Sequence, residues 1–219
     1  MARSGAEAML RWLVALCLTG TMATAEDAVR YRVEVALTWD GTETDGHPAD
    51  KHWSRLIAFA HSARFALFDD GDTASSGLAL VATNGRVSVL EAELAEGRRR
   101  GRVGAHVVLP GIDAGVGRFS FEIEATERQR FVSFATMLAP SPDWFAGVRA
   151  VALQDEAGWR DSVTRPLWVW DAGADSGPDF QGPNIDTQPR QSVRLLTHPA
   201  FLTPTGLAPI GTVTFIRLP

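Results

Sequence analysis

Hydrophobic and polar residues alternate strictly along residues 31–39. The apolar positions fall at every second residue and are Tyr31, Val33, Val35, Leu37 and Trp39. A period of two is that of a β-strand, because successive side chains point to opposite faces of a sheet. The segment is therefore predicted to be a strand with one face in the core and the other face in solvent.

The second half of the chain contains further short segments rich in Val, Ile and Phe. They are separated by Gly, Pro and Asp, and they cover residues 103–109, 118–125, 131–138, 145–153, 163–170 and 212–218. Residues 155–158 are predicted to form a hairpin turn that leads into Trp159. Short strands at this spacing, with turn residues between them, are typical of a β-sandwich.

Two segments between the first strand and the later ones favour helix. Residues 74–83 are predicted to be a short helix that Asn84 and Gly85 end. Residues 87–95 fit either a helix or a strand, and the frequent Glu and Ala favour a helix. The polar stretch 41–51 is predicted to be a loop. The expected fold is thus mainly β, a β-sandwich with one or two short helices.

The N-terminal segment is typical of a signal peptide. Arg3 and Arg11 precede or flank an apolar run at 12–22, and Ala23 and Ala25 give the small-x-small pattern that signal peptidase accepts. We predict a signal peptide at 1–25 and one domain at 26–219. A membrane anchor is the alternative, although a span requires about 20 apolar residues. An exported protein is secreted or periplasmic.

The charge and the cysteine content limit the classes of protein to which the chain is expected to belong. The formal net charge is −5, and because Arg3, Glu7 and Arg11 give the predicted leader +1, the remainder carries −6. An acidic domain is not expected to bind nucleic acid. The single cysteine, Cys17, lies in the predicted leader. The exported part would then be stabilised by its hydrophobic core and not by disulfides.

One basic cluster interrupts the acidic balance. It consists of the run 98–100 together with Arg102. A solvated turn between two elements is the simpler interpretation, and contact with a heparin-like or other acidic glycan is the alternative.

Two segments carry the candidate chemistry. In the first, Pro140 and Pro142 constrain the backbone ahead of Asp143. In the second, Gly173 and Gly177 allow the chain to curl. The flanking Trp144, Trp168 and Trp170 are predicted to form either a packed rim or an exposed platform for sugar rings.

The curl in the second segment would turn Asp171 and Asp175 towards one point, where Asp143 joins them. Three carboxylates with no Lys or Arg nearby in the sequence predict a site for a hard cation. Backbone carbonyls and waters would complete the six to eight oxygen ligands that calcium takes. The alternative is that Asp171 and Asp175 make Asx-turns and Asp143 caps a strand end.

The same two segments resemble the spondin domain, which F-spondin and mindin share and which occurs as a stand-alone domain in bacterial secreted proteins. The resemblance rests on Ser-Pro-Asp-Trp-Phe at 141–145 and Asp-Ala-Gly-Ala-Asp-Ser-Gly at 171–177. Blocks at 52–61 and 67–77 also resemble the family, and the similarity runs from about residue 31 to the C-terminus. The resemblance implies a C2-like β-sandwich and calcium bound by Asp143, Asp171 and Asp175.

The resemblance also implies a function. Spondin domains contact extracellular matrix and cell-surface receptors, so we expect a calcium-binding adhesion or binding module, with an extracellular or envelope protein or glycan as its partner. The calcium is expected to be structural. A metal-dependent hydrolase that uses the Asp cluster and a purely structural envelope protein are the alternatives.

Signals for an enzyme are weak. The chain has no Gly-x-Ser-x-Gly elbow, no phosphate-binding loop and no dinucleotide fingerprint. The five histidines show no metal-ligand spacing, and hydrogen-bonded structural roles are predicted for His52 and His61. A Ser-His-Asp triad assembled from distant residues remains open at this level. We therefore predict that the protein is not an enzyme.

Overall fold

The computed structural model describes residues 27–219, so the predicted signal peptide at 1–25 lies outside the described residues. Strands predominate in the described part. The strands, in chain order, are β1 (Val29–Thr38), β2 (His52–Trp53), β3 (Leu56–His61), β4 (Val103–Leu109), β5 (Val116–Ala125), β6 (Phe131–Ala139), β7 (Trp144–Ala152), β8 (Gln154–Asp155), β9 (Gly158–Trp159), β10 (Ser162–Asp171), β11 (Arg194–Leu195), β12 (Leu202–Thr203), β13 (Gly206–Leu207) and β14 (Gly211–Arg217). The α-helices are α1 (Ser76–Asn84) and α2 (Ser88–Arg99), and short 3-10 helices lie at Glu43–Asp45 and Pro199–Phe201.

The long strands form one antiparallel arrangement in the order β4-β3-β6-β7-β10-β14-β1-β5. Strand β10 belongs to both halves of it. Residues 162–167 pair with β14, whereas residues 168–171 pair with β7. A strand that changes partners in this way connects two packed layers. The prediction of a mainly β sandwich with two short helices is confirmed.

The main core lies between the two layers. On β1, the alternate residues Tyr31, Val33, Val35 and Leu37 are at most 1% exposed, as the sequence pattern predicts. They pack in the same cluster as residues of β6 and β14 such as Phe134 and Phe215. All seven long strands predicted from the sequence are present, each with bounds within two residues of the prediction.

A second core explains the strand that the sequence pattern did not reveal. The helices α1 and α2 cover the outer face of the β3-β6-β7 layer, and Ile57 and Phe59 of β3 pack there with Phe145. All six residues of β3 are buried. Because both faces of β3 are covered, its sequence has no polar alternation, and a periodicity of two could not identify it.

Both helices follow the sequence prediction. The hydroxyl of Ser75 accepts a hydrogen bond from the Leu78 amide at 3.1 Å, and the helix α1 ends at Gly85, which has φ of 68°. This is the usual pairing of an N-cap hydroxyl and a left-handed C-terminal glycine. Helix α2 extends to Arg99, beyond the predicted end. No helix within residues 27–219 is long and apolar enough to cross a membrane.

Candidate metal centre

The three predicted aspartates meet at one end of the sandwich. Asp143 lies in the turn between β6 and β7, Asp171 is the last residue of β10, and Asp175 lies in the loop that follows. Strand pairing brings the segments together, because Asp171 lies opposite Trp144 in the β7–β10 register. The backbone amide of Ala172 also donates to the Asp143 carbonyl at 3.2 Å.

Asp143 is the innermost of the three carboxylates and is 0% exposed. Its Oδ2 accepts hydrogen bonds from the backbone amides of Ala174 at 2.6 Å and Asp175 at 3.0 Å. Its Oδ1 is buried and has no hydrogen-bond partner. Buried polar atoms nearly always have a partner, so this oxygen is unusual and retains its capacity to accept one.

The electrostatic environment of Asp143 is unfavourable for its charge. Burial is the largest cause that raises the pKa of Asp143 to about 6, and the negative charges of Asp171 and Asp175 contribute to this rise, against the lowering effect of the two backbone amides. The charges of both neighbouring carboxylates therefore act on Asp143. A cation among them would reverse these effects.

The other two carboxylates are already engaged by the loop. Asp171 Oδ1 accepts from the Gly173 amide at 2.8 Å. Asp175 Oδ1 accepts from the amides of Gly177 and Ile185, each at 2.8 Å. The bonds to residues two positions ahead are Asx-turns. The Asx-turn interpretation and the cation-site interpretation therefore apply to the same side chains.

One expectation about the site is wrong. The sequence pattern predicts no basic residue near the carboxylates, but Arg194 donates to Asp171 Oδ2 from Nη2 at 3.0 Å and from Nε at 3.3 Å. The strand β11 pairs with β10 and sets Arg194 opposite Asp171. Because 23 residues separate the two in sequence, the local pattern around Asp171 did not show this ion pair.

The two glycines play different roles. Gly173 has φ of 68°, and a Cβ there would lie 2.3 Å from the Gln191 carbonyl oxygen, so the predicted curl at Gly173 is confirmed. Gly177 is not among the described residues with positive φ. Its role is close packing, since a Cβ would meet Pro142 Cγ at 2.9 Å.

The three carboxylates have the right chemistry to bind a hard cation, but their present arrangement does not form a complete metal site. Within residues 27–219, no group of three or more His, Cys, Asp or Glu side chains is arranged to hold a metal ion as it stands. The chemistry of three carboxylates, one with an unpartnered buried oxygen, matches the oxygen ligands of calcium. A cation would compete with Arg194 and the loop amides for Asp171 and Asp175.

A cleft of about 460 Å³ opens beside the cluster, and Asp171, Asp175, Arg194 and His198 line it. Trp144 contributes to the wall but is 3% exposed, with its ring 4.9 Å from that of Phe180. Trp144 therefore belongs to a packed rim, as one of the two sequence interpretations predicts. Trp168 and Trp170 are half-buried.

The described residues contain one Ser–His pair, and it is structural. His61 is 0% exposed, its Nε2 lies 2.8 Å from Ser133 Oγ and its Nδ1 lies 2.9 Å from the Ser62 carbonyl. Burial lowers the pKa of His61. Ser133 is also 0% exposed, so its hydroxyl cannot reach a substrate. The predicted hydrogen-bonded role of His61 is confirmed, and His52 bonds similarly to the Asp50 carbonyl.

Comparison of the sequence with known proteins identifies a family and several relatives. The Spondin_N family model matches residues 29–204. Spondin-2 of Rattus norvegicus is 32% identical over 231 residues, which covers 94% of this chain and 70% of that protein. Spondin-2 of Homo sapiens is 37% identical over 176 residues, which covers 76% of this chain and 53% of that protein.

The chain also matches a relative at similar identity but covers a smaller part of that protein's length. Spondin-1 of Gallus gallus is 34% identical over 182 residues, which covers 73% of this chain and 22% of that protein. The similarity to these relatives therefore concerns one part of each of them.

Proposed function

This chain belongs to the Spondin_N family, and on that premise we propose that it is an exported, calcium-stabilised module for adhesion or extracellular binding. Its site of action is the medium or the periplasm. Its partner is an extracellular or envelope protein or glycan. The acidic charge of −5 opposes binding to nucleic acid.

The unpartnered Oδ1 of Asp143 is the observation that carries the calcium proposal. It lies in a cluster where two further carboxylates raise the pKa of the same group. Calcium there would offset the repulsion and supply the missing partner, and Asp143, Asp171 and Asp175 would hold it. Since Asp143 lies in the β6–β7 turn and the other two lie at the end of β10 and in the loop after it, the ion's role is to fix these two segments to each other, which is a structural role.

The described residues support a binding protein better than an enzyme. The cleft beside the cluster contains carboxylates, one arginine and one histidine, but the hydroxyl that lies close to a histidine is that of buried Ser133. A hydrolase needs a nucleophile or a metal-bound water in reach of a substrate. In our proposal the calcium instead holds the two segments of the acidic cluster together.

Thermal unfolding of the protein lacking residues 1–25 tests the metal proposal. Melting temperatures are measured in EDTA and then with calcium, magnesium or zinc, and the metal content of the untreated protein is determined. We expect a rise that is selective for calcium. No response to any metal would leave Asp171 and Asp175 as turn residues and would refute the proposed calcium site.

A separate experiment tests the binding role. The immobilised protein is incubated with envelope extract and with matrix preparations, in calcium and in EDTA. We expect a partner whose binding saturates. Repeated absence of any saturable partner, with a folded protein on the surface, would contradict the adhesion proposal without affecting the metal result.

A further inference from the structure

Residues 41–51, which belong to the connection between β1 and β2, form a strap beside a group of buried rings. We call this group the ring cluster, and its members are Trp39, Trp144, Phe180 and Phe201. One strap residue, His47, enters the cluster. Its ring centroid lies 5.8 Å from that of Phe180 and 5.6 Å from that of Phe201, and the residue is 9% exposed.

A single side-chain hydrogen bond joins His47 to the end of β1. Trp39, which is 2% exposed, donates from Nε1 to His47 Nδ1 at 2.8 Å. An indole N–H can only donate, so Nδ1 must keep its lone pair and the ring proton of neutral His47 lies on Nε2. A protonated imidazole carries hydrogen on both nitrogens and accepts nothing. The bond therefore exists only while His47 is neutral.

The strap has few other attachments to the sandwich. Apart from the contacts of the His47 ring, the hydrogen bonds that the structure shows for residues 42–49 stay within the strap. Lys51 Nζ, for example, donates to the carbonyls of Gly41 at 2.8 Å and Pro48 at 3.0 Å. These bonds keep the strap compact without fixing it to the layers beneath. The ring of His47 is therefore its anchor.

Open space lies beside this anchor. His47 lines two cavities, one of about 350 Å³ and one of about 310 Å³. The ring also packs directly against Gly41, where a Cβ would lie 2.1 Å from His47 Nε2. The anchor thus fills a narrow gap that glycine permits, and it has room to leave the cluster.

The charges around His47 act in both directions. Burial is the largest cause that lowers the pKa of His47, and the positive charge of Lys51 is the second. A hydrogen bond to the backbone of Ala200 raises the pKa, and so do the carboxylates of Asp45 and Asp40. The lowering causes are the stronger, so the folded environment favours the neutral ring that accepts from Trp39.

Three further titratable groups lie around the anchor. Glu43 and Asp179 line the larger of the two cavities beside His47. His198 packs on the ring of Phe180 at 5.3 Å, and burial lowers its pKa, with Asp179 raising it and His47 lowering it. Its Nδ1 accepts from the Ala200 amide at 3.3 Å. Protonation of His198 would therefore break no bond to the strap.

We propose that residues 41–51 are an acid-released strap, closed over the ring cluster while His47 accepts the Trp39 hydrogen bond and open once protonation of His47 abolishes it. The open form binds a proton that the closed form excludes, so opening is favoured as pH falls below about 6.5, the value of an unperturbed histidine. Each pH unit between that value and the pKa of the closed form shifts the equilibrium by up to about tenfold. Opening would expose Phe180 and Phe201, which are 7% and 6% exposed in the closed form.

Nuclear magnetic resonance of the indole N–H groups tests the proposal directly. The protein lacking residues 1–25 is titrated from about pH 8 to about pH 5 in EDTA, and the Trp39 signal is assigned with Trp39→Phe. Trp53 is the internal control, because it is 1% exposed and donates to the Gly115 carbonyl at 2.8 Å, an acceptor that does not titrate. Hydrogen exchange, corrected for its intrinsic pH dependence, should accelerate at least about tenfold for Trp39 relative to Trp53, in step with the titration of the His47 ring. An equal response of both indoles, or none, would overturn the proposal.

Matched variants identify the responsible group. His47→Asn places an amide oxygen close to the position of Nδ1, where it can accept from Trp39 without titrating. Binding of the dye anilinonaphthalene sulfonate to exposed apolar surface should rise on acidification in the parent and in the control His52→Asn, but not in His47→Asn. A similar rise in all three proteins would contradict the role of His47.

Gly41→Ala supplies a second test that needs no acid. The added Cβ takes the space of the His47 ring, so the Trp39 indole should exchange quickly and the dye should bind already at about pH 7.5, where the parent strap is closed. A protected Trp39 indole in this variant would show that the strap does not depend on the seating of His47. Melting temperatures show that each variant is folded. Because every measurement is made in EDTA, failure of the strap proposal is distinguishable from failure of the calcium proposal.

Discussion

The carboxylate of Asp143 accepts a hydrogen bond from the backbone amide of Asp175 at 3.0 Å, although 32 residues separate them. The same oxygen also binds the amide of Ala174. The Asp143 side chain and the backbone amides of the second loop therefore join the two segments of the acidic cluster without a cation. A cation would add stability to a site that the fold already assembles, and this distinction determines what mutations should do.

Asp171→Asn should remove most of the calcium dependence of folding. If calcium binds the folded state alone, it stabilises by RT ln(1 + [L]/Kd), about 2.7 kcal/mol at a hundredfold excess over Kd. The variant loses one anionic ligand and should melt at a lower temperature than the parent in calcium. Thermal unfolding in EDTA and in calcium measures both effects.

Asp161→Asn is the matched control, because its side chain is 99% exposed and lies outside the cluster. Its calcium response should equal that of the parent protein. An unchanged response in Asp171→Asn would contradict the assignment of Asp171 as a ligand.

Asp143→Asn should have opposite effects in the two conditions. In EDTA at neutral pH it removes a charge that is 0% exposed and lies near two other carboxylates. We expect the free energy of unfolding to increase by about 1–3 kcal/mol, because the pKa of Asp143 is raised to about 6 and each unit of raised pKa corresponds to about 1.4 kcal/mol. In calcium the same change removes a ligand and should destabilise. Urea unfolding in both buffers tests the sign. Destabilisation of equal size in both buffers would show that Asp143 acts only through its hydrogen bonds.

The sequence predicts those strands that have one buried and one exposed face. Strand β1 has one buried and one exposed face, and its period of two is clear. Strand β3 is covered on both faces by the second core, so its Leu56–His61 pattern carried no period. The proximity of the three aspartates was expected from the turn residues that flank them and from the resemblance of both segments to the spondin domain, whereas their role as metal ligands stays a prediction. Arg194 was not, since strand pairing and not sequence proximity places it beside Asp171.

Arg194→Gln should increase the calcium response. In the parent, Arg194 occupies Asp171 Oδ2 and competes with a cation. Its side chain is 61% exposed, so loss of the ion pair should cost no more than about 1 kcal/mol in EDTA. Calcium affinity should rise by up to about tenfold, which corresponds to roughly 1.4 kcal/mol. Isothermal titration with calcium measures it, with Arg165→Gln as the control. Weaker calcium binding would instead make Arg194 a support of the site.

His61 should make stability depend on pH. Burial lowers its pKa in the folded state, so below the unfolded value of about 6.5 the unfolded chain binds a proton that the folded protein excludes. Stability should therefore fall as pH decreases below about 6.5. The loss should be smaller in His61→Gln, because the other titrating groups are common to both proteins. Urea unfolding in EDTA at pH 5 to 8 measures the difference. His52→Gln, which alters a half-buried histidine, is the control, and equal pH profiles for parent and His61→Gln would contradict the prediction.

Gly173→Ala should test whether the turn between Asp171 and Asp175 positions the ligands. Gly173 has φ of 68°, and its amide donates to Asp171 Oδ1. An added Cβ would lie 2.3 Å from the Gln191 carbonyl oxygen, so the turn must shift. We expect destabilisation beyond the roughly 1–2 kcal/mol of a left-handed alanine, together with a smaller calcium response.

Gly101→Ala is the control that separates the cost of a left-handed backbone conformation from the cost of the steric clash. Gly101 has φ of 66°, and a Cβ there would have nothing within 4 Å, so it carries the left-handed cost alone. Its calcium response should match that of the parent, since Gly101 lies at the other end of the sandwich. The contrary outcome is that Gly173→Ala loses no more stability than Gly101→Ala and keeps its calcium response. That outcome would show that the loop relaxes without moving the carboxylates, and that the close approach of Gln191 does not position them. A larger loss confined to Gly173→Ala would show that this contact sets the geometry of the site.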